Sequence, residues 1–270
     1  MKNIFLSFLL TFLYPLNALA DDNKILIQST TSTRDSGFYE YILPYFYKEH
    51  DISVSVVSVG TGQAIKNASR CDGDLLIVHS PKLEEKFMSS GFGLKRNKLM
   101  YNNFIIIGPK NDPVKISSST SILDVFSKLY ASKFKFISRA DDSGTHSKEK
   151  SIWELLGLES SDFDDNWYLE SGQGMGATLN IAIGLNAYTL ADQATWVRFS
   201  NKSNHISLFE KDNILHNQYG IIRINPNRCP NLKHESAELF YNWILSEEGQ
   251  HLIDSFLIDG KSVFTGNSNM

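Results

Sequence analysis

The chain predicts an α/β protein built as two halves, each a mostly parallel sheet covered by helices on both faces. Short apolar runs of strand type alternate with stretches that carry apolar residues at helical spacing. Several of those runs end in turns rich in hydroxyls and glycine, and the rhythm stops at Gly108-Pro109 and starts again. Strands alternating with helices bury a parallel sheet on both faces, which explains why the strand runs are apolar throughout rather than alternating.

Lys24 to Gln28 reads as the first strand, followed by the hydroxyl turn Ser29-Thr30-Thr31-Ser32 and a helical stretch from Asp35 to Glu49 that Pro44 should kink or divide. Ser53 to Val59 is Val-rich and reads as a strand, and Gly62 to Arg70 as a helix. Asp74 to Val78 and Phe104 to Ile107 are short buried strands, with a helix over Pro81 to Ser89 between them. Beyond Gly108, Ile122 to Ser132 and His146 to Leu156 read as helices, Phe134 to Ser138 as a strand, and Gly157 as a helix stop. Gly174 to Ile183 and Ala191 to Phe199 are two further helices. Asn217 to Asn225 resembles Asn102 to Gly108, a polar start followed by an apolar strand. Two such strands would carry the chain out of the first half and back, leaving two short helices over Lys233 to Phe256 to complete it. The expected division is residues 21–106 plus 220–270 for lobe one and 107–219 for lobe two.

The first twenty residues carry Lys2, an apolar run from Ile4 to Leu16, and Ala18-Leu19-Ala20 ahead of Asp21. That order is a secretory signal with its cleavage site, too short for a membrane span. No cysteine stands at the cleavage point, so a lipid anchor is not expected and the mature chain should lie free in a periplasm. With 42% hydrophobic residues in 270, the chain can bury one large core or two modest ones. The net charge of -4 gives no general attraction for nucleic acid or anionic lipid, so an anion must be held by local geometry. Cys71 and Cys229 are the only cysteines; an oxidising compartment would let them pair, but their separation in sequence does not establish proximity, and the reading leans to separate thiols. No Cys/His cluster suggests a structural metal, and no cofactor is expected.

Three distant turns share one chemistry: Ser29 to Ser32, Gly60-Thr61-Gly62-Gln63, and Ser138-Arg139 with Asp141-Asp142-Ser143-Gly144-Thr145-His146. Each lies between a strand and a helix, where ligands of open α/β sheets bind and where N–H and O–H groups point at the ligand. A proton-free oxyanion calls for such a donor-only shell. Ser29, Thr30, Thr31, Ser32, Thr61, Gly62, Ser143, Gly144 and Thr145 are the candidate donors, and Arg139 is the cation, bidentate to the anion or else paired with Asp141 or Asp142. Gly172-Gln173-Gly174-Met175-Gly176 lacks the spacing of a dinucleotide motif; its glycines let the amides of Gly174, Met175 and Gly176 approach a ligand, or else serve helix packing. Thr33 and Arg34 are expected to face away. Ser143 with His146, or His79 alone, could belong to a secreted phosphoester hydrolase, but no nucleophile elbow accompanies them.

On these motifs, together with Val59-Gly60-Thr61-Gly62-Gln63-Ala64, Asp74 to Pro81, Met100 to Phe104 and Glu170 to Thr178, the chain resembles the tungstate-binding proteins of the tungstate-specific ABC importer. The resemblance spans nearly the whole mature chain. It implies a type II periplasmic-binding-protein fold with two crossover hinge strands, no catalysis, and oxyanion contact from Ser29 to Ser32, Thr61, Arg139 and Ser143 to Thr145. It also implies a permease partner in the inner membrane; a monomer is expected. Two departures are visible: Ser29 stands where Thr is usual and Ala140 where Gly is usual. Molybdate demands the same donors as tungstate, and phosphate, which keeps a proton at neutral pH, would need an acceptor such as Asp141 or Asp142.

Overall fold

A computed structural model describes residues 23–268; the expected signal segment lies outside the described residues. In chain order the elements are β1 (Lys24–Thr30), α1 (Thr31–Asp35), α2 (Phe38–His50), β2 (Ser53–Val59), α3 (Thr61–Ser69), β3 (Leu75–Val78), α4 (Pro81–Ser89) and β4 (Gly93–Pro109). They continue with α5 (Ile122–Ser132), β5 (Phe136–Ser138), α6 (Gly144–Leu155), β6 (Tyr168–Glu170), α7 (Met175–Gly184), β7 (Tyr188–Asp192), α8 (Gln193–Arg198), β8 (His205–Phe209), β9 (His216–Ile224), α9 (His234–Leu245) and α10 (Glu247–Asp254). One sheet runs β2-β1-β3-β9-β4-β7-β5-β6. Its flanks are parallel, β1 with β2 and β3, and β5 with β6 and β7. Its centre is antiparallel, because β4 and β9 run the chain from one half to the other and back.

The 17-residue β4 is the frame of this arrangement: it pairs with β9 from Gly93 to Asn103, then with β7 from Phe104 to Ile107. Period-two alternation explains how its last turns serve two cores. Phe104 and Ile106 enter one apolar cluster with Phe126, Phe136 and Trp153, while Ile105 and Ile107 face Met175 and Leu179 on the other side of the sheet. β3 does the same in the first half, with Leu75 and Ile77 on the α2 and α9 face and Leu76 and Val78 on the α3 face. Both faces are covered, as the continuous apolar runs require.

Four expectations change. The helix expected from Asp35 to Glu49 breaks at Gly37, whose left-handed φ of 81° ends α1 before α2 starts. Pro44 does not divide α2, because the carbonyl it leaves without a donor belongs to exposed Glu40, where water can bond it. Cys71 and Cys229 form a disulfide with Cα atoms 5.5 Å apart. It ties the end of α3 to the segment after β9, two places that the packing of the first half brings together. In addition, Ala191–Phe199 is not one helix: the strand β7 runs to Asp192, whose carboxylate then caps α8 by accepting from the Thr195 amide at 3.1 Å.

Candidate functional site

β5 runs opposite to β1 and β2, so the carboxyl ends of these strands face each other from the two halves of the sheet, and the turns that follow them meet there. The Gly62 amide donates to the Asp142 carbonyl at 3.1 Å, and the Gly144 amide to Thr61 Oγ1 at 3.1 Å. Glycine makes this approach possible: a Cβ on Gly60 would lie 2.9 Å from the Asp141 carbonyl oxygen, and one on Gly144 would lie 2.7 Å from the His79 ring and 2.8 Å from its carbonyl oxygen. Turns expected to line a cleft from two sides are thus already in contact.

Arg139 stands at the centre with 1% of its surface exposed. Its Nε donates to the Gln173 carbonyl at 3.3 Å, Nη1 to Ser32 Oγ at 3.5 Å, and Nη2 to Thr31 Oγ1 at 3.3 Å and to Asp141 Oδ2. Four bonds leave one of the five guanidinium N–H groups, on Nη1, without a partner among the described residues. The contacts to Thr31 and Ser32 are long, so an anion would displace them at little cost. Burial pulls the guanidinium below its ordinary pKa while Asp141 opposes that pull, and the group stays charged. The pairing with Asp141, one of the two alternatives read from the sequence, therefore holds. Asp142 turns outward, with its side chain 83% exposed.

The hydroxyl protons sort the candidate donors. Thr31 and Ser32 only accept, from Arg139; Thr61 only accepts, from Gly144; and Ser143 only accepts, from the His146 amide at 3.2 Å as the cap of α6. Thr145 Oγ1 is buried with no partner among the described residues. Five hydroxyl protons around Arg139 are thus uncommitted, four of them on buried residues. Ser29 differs from the expectation: its hydroxyl donates to the Ile77 carbonyl at 2.9 Å and takes a bond from Tyr39 at 2.5 Å, which leaves no proton for an anion. Thr30 Oγ1 lies 2.9 Å from Thr33 Oγ1, so Thr33 is buried beside the site rather than facing away, whereas Arg34 is exposed and paired with Asp35. The amides of Gly62, Ser143 and Gly144 are committed within the protein, to Asp142, Asp141 and Thr61. Those of Met175 and Gly176 open α7 and have no intrahelical acceptor. Gly174 is the cap of that helix and lies against Thr31, while the Met175 side chain packs into the core.

Residues 139–143 make this arrangement from an unusual backbone. Ala140 and Asp142 both have left-handed φ, 47° and 54°. The amides that follow serve the protein itself: that of Asp142 donates to His146 Nδ1 and that of Ser143 to Asp141 Oδ1, both at 3.2 Å.

A second polar cluster, not anticipated from the sequence, lies where β4, β7 and β9 meet. Asp192 Oδ2 accepts from Tyr219 OH at 2.7 Å, Asn217 Nδ2 at 2.9 Å and Asn102 Nδ2 at 3.1 Å. Asn217 Oδ1 takes the His79 Nδ1 proton at 2.8 Å, since its amide nitrogen is already donating to Asn102 Oδ1. Burial holds the His79 imidazole neutral, stacked on Tyr219 with ring centroids 4.6 Å apart. The repeated polar starts at Asn102 and Asn217 were the available signal; these two residues face each other in the β4–β9 register.

A buried donor shell made by turns from both ends of an open α/β sheet defines a solute-binding protein of the two-lobed kind. Residues 18–248 match the PBP superfamily domain. The chain is 42% identical over 249 residues, 91% of its length and 86% of the relative's, to the tungstate-binding protein TupA of Peptoclostridium acidaminophilum. Among solved structures, the tungstate-binding protein TupA from Desulfovibrio alaskensis G20 matches with a TM-score of 0.78 at 38% identity, covering 91% of this chain and 99% of that one. The tungstate ABC transporter structure from Geobacter sulfurreducens matches with a TM-score of 0.79 at 39% identity, covering 86% and 98%. The chain belongs to the family of the TupA tungstate-binding proteins within the PBP superfamily.

Proposed function

We propose that this protein is the substrate-binding component of an ABC importer, which binds tungstate between two lobes and hands it to a permease in the inner membrane. The lobes are residues 21–106 with 220–270, and 107–219, and they close about the crossover strands β4 and β9. Export through a cleaved signal segment would place the mature monomer in the periplasm. Family membership supports the ligand class, and one observation agrees with it: the shell holds a surplus of uncommitted protons beside a buried guanidinium. Thr31, Ser32, Thr61, Ser143 and Thr145 keep hydroxyl protons to give, and Arg139 keeps an N–H. Met175 and Gly176 add the amides that open α7.

The shell bears directly on phosphate. A ligand that retains a proton needs a carboxylate to accept it. Asp141 has Oδ2 on Arg139 and Oδ1 on the Ser143 amide, and Asp142 points to solvent. Each Asp141 oxygen keeps a further lone pair, so the donor surplus favours a proton-free dianion, while the preference over phosphate rests on family membership and on the measurement below. Catalysis finds no support either: Ser143 Oγ caps α6, and His146 Nδ1 accepts the Asp142 amide at 3.2 Å instead of the serine proton.

Titration calorimetry with tungstate, molybdate, sulfate and phosphate tests this reading. Tungstate should bind tightly and raise the melting temperature in step with its concentration, while phosphate at the same concentration does neither. Equal binding of phosphate would overturn the ligand assignment and leave the fold untouched.

A further inference from the structure

Two openings flank the Arg139 shell, and their charges differ. One, of about 740 Å3, comes up to Gly62, Asp142 and Gly144, where the Gly62–Asp142 and Gly144–Thr61 hydrogen bonds close that side of the shell and must part for an anion to pass; the other, of about 730 Å3, reaches Thr31, Gly174 and Gly176. The first is lined by Lys66, Lys82, Lys86, Lys148 and Lys150 against only Asp142 and Glu154, a net charge of +3 from five lysines and two carboxylates. The second is lined by Arg34 and Arg198 against Asp35 and Glu40, a net charge of zero, and both arginines are paired there, Arg34 to Asp35 at 2.7 Å and Arg198 to Glu40 at 2.8 Å. In the first opening Lys66, Lys82, Lys86 and Lys150 are exposed and have no ion pair among the described residues.

The volume argues against a second fitted pocket. Water occupies about 30 Å3 per molecule, so this opening holds on the order of 25 waters and is a solvent-filled vestibule. Its lysines are too mobile and too wet to act as coordinating ligands, but unpaired charge in a concave, low-dielectric surround focuses field lines into the opening. The chain as a whole carries -4 and repels a dianion, so an inward bias has to come from a local excess of positive charge.

We propose that the anion reaches Arg139 through the lysine-lined vestibule, and that these side chains set its association rate without holding it once bound. The proposal rests on the receptor reading above. It separates two quantities that a ligand contact would move together. A guiding charge acts on association and is screened within about 8 Å at physiological salt, whereas a coordinating group acts on dissociation.

Stopped-flow fluorescence with tungstate, on the full mature chain, decides between them. Lys82→Gln/Lys86→Gln on α4 should lower the association rate constant about three- to ten-fold at low ionic strength and flatten its salt dependence, with the dissociation rate unchanged. Charge reversal to glutamate at both positions should lower it further. Lys48→Gln/Lys110→Gln, the same change in net charge on exposed residues outside both openings, should leave it near the parent value. The proposal is overturned if the vestibule variant keeps the parental association rate, if its dissociation rate rises instead, or if the distant pair gives the same loss. A parent protein that binds no tungstate would sink the receptor reading and the access route with it, which distinguishes that failure from the others.

Discussion

The shell around Arg139 and the cluster around Asp192 are both buried, both centred on one charged residue and both assembled across the β4–β9 crossover, yet their hydrogen bonding differs in kind. At Asp192 both carboxylate oxygens accept bonds, from Tyr219, Asn217 and Asn102 on one and from the Thr195 amide on the other. At Arg139 one N–H and five neighbouring hydroxyl protons are left over, and two of the existing bonds are 3.3 and 3.5 Å long. Native interiors rarely leave polar capacity unused, because each unsatisfied buried group costs about 1–3 kcal/mol. In the Asp192 cluster only His79 Nε2 lacks a partner among the described residues, whereas the Arg139 shell holds six uncommitted protons that an acceptor could take. Excess donors, rather than charge alone, are what single out the Arg139 region as the proposed site.

Removing Arg139 should break the comparison most strongly on the binding side. Charge-assisted bonds contribute about 1.5–3 kcal/mol each, so Arg139→Ala should weaken tungstate binding by roughly two orders of magnitude or more in calorimetry. It would also leave Asp141 near the core without its partner, which lowers stability on its own account. Arg139→Ala/Asp141→Ala separates the two effects: melting temperature should recover toward the parent while affinity stays lost. Recovered affinity in the double variant would mean that the guanidinium is structural.

Asp192→Ala should give the mirror image. Three side-chain donors and one amide lose their acceptor, at about 3 kcal/mol of folding stability by urea unfolding. The shell proper does not touch Asp192, so tungstate affinity measured well below the melting point should fall by less than about threefold if the lobes still close as before. A loss as large as that of Arg139→Ala would make Asp192 part of the binding machinery.

A third buried group, Glu149 on α6, tests whether the region behind the 143–145 turn is frame as well. Tyr168 OH and Trp153 Nε1 both donate to its Oε1, at 2.6 and 3.3 Å, and burial pushes its pKa from 4.5 up to about 7. Between those two values the folded chain keeps a proton that the unfolded chain releases. The resulting stability is complete below pH 4.5 and is lost as pH rises through about 7. Urea unfolding at pH 5 and pH 8 should show this fall, and Glu149→Gln, neutral throughout, should flatten it. An unchanged slope in the variant would assign the pH dependence elsewhere.

The sequence made most of the flanking elements legible, and little of the centre. β2, α4 and α5 have the boundaries expected from their apolar pattern and turns. β6, β7 and β8 escaped notice because three to five residues carry no readable period, and β7 merges by composition with α8. The first ten residues of β4 are mixed polar and apolar, so only its buried end from Phe104 stood out. At the site, the motifs revealed which residues assemble. They could not reveal which hydroxyls keep their protons, since the fate of Ser29 is decided by Ile77, 48 residues away, and by Tyr39 on α2. The disulfide was hidden for the same reason, its cysteines 158 residues apart.

The smallest expected effect lies in the backbone that carries Arg139. Ala140 holds φ at 47°, a conformation that costs an L-residue with a Cβ about 1–2 kcal/mol and glycine almost nothing. Glycine loses more entropy on folding, by about 0.5–1 kcal/mol, so Ala140→Gly should stabilise the protein by a net ~0.5–1 kcal/mol. Asp142, at φ 54°, is the internal control: aspartate tolerates the left-handed region better, so Asp142→Gly should gain less. If the turn is rigidly held by the Gly62, Thr61 and Asp141 bonds in either variant, affinity for tungstate stays at the parental value while the melting temperature rises. A rise in stability with a loss of affinity would instead show that strain at Ala140 helps to aim the guanidinium, and would move this residue from the frame to the site.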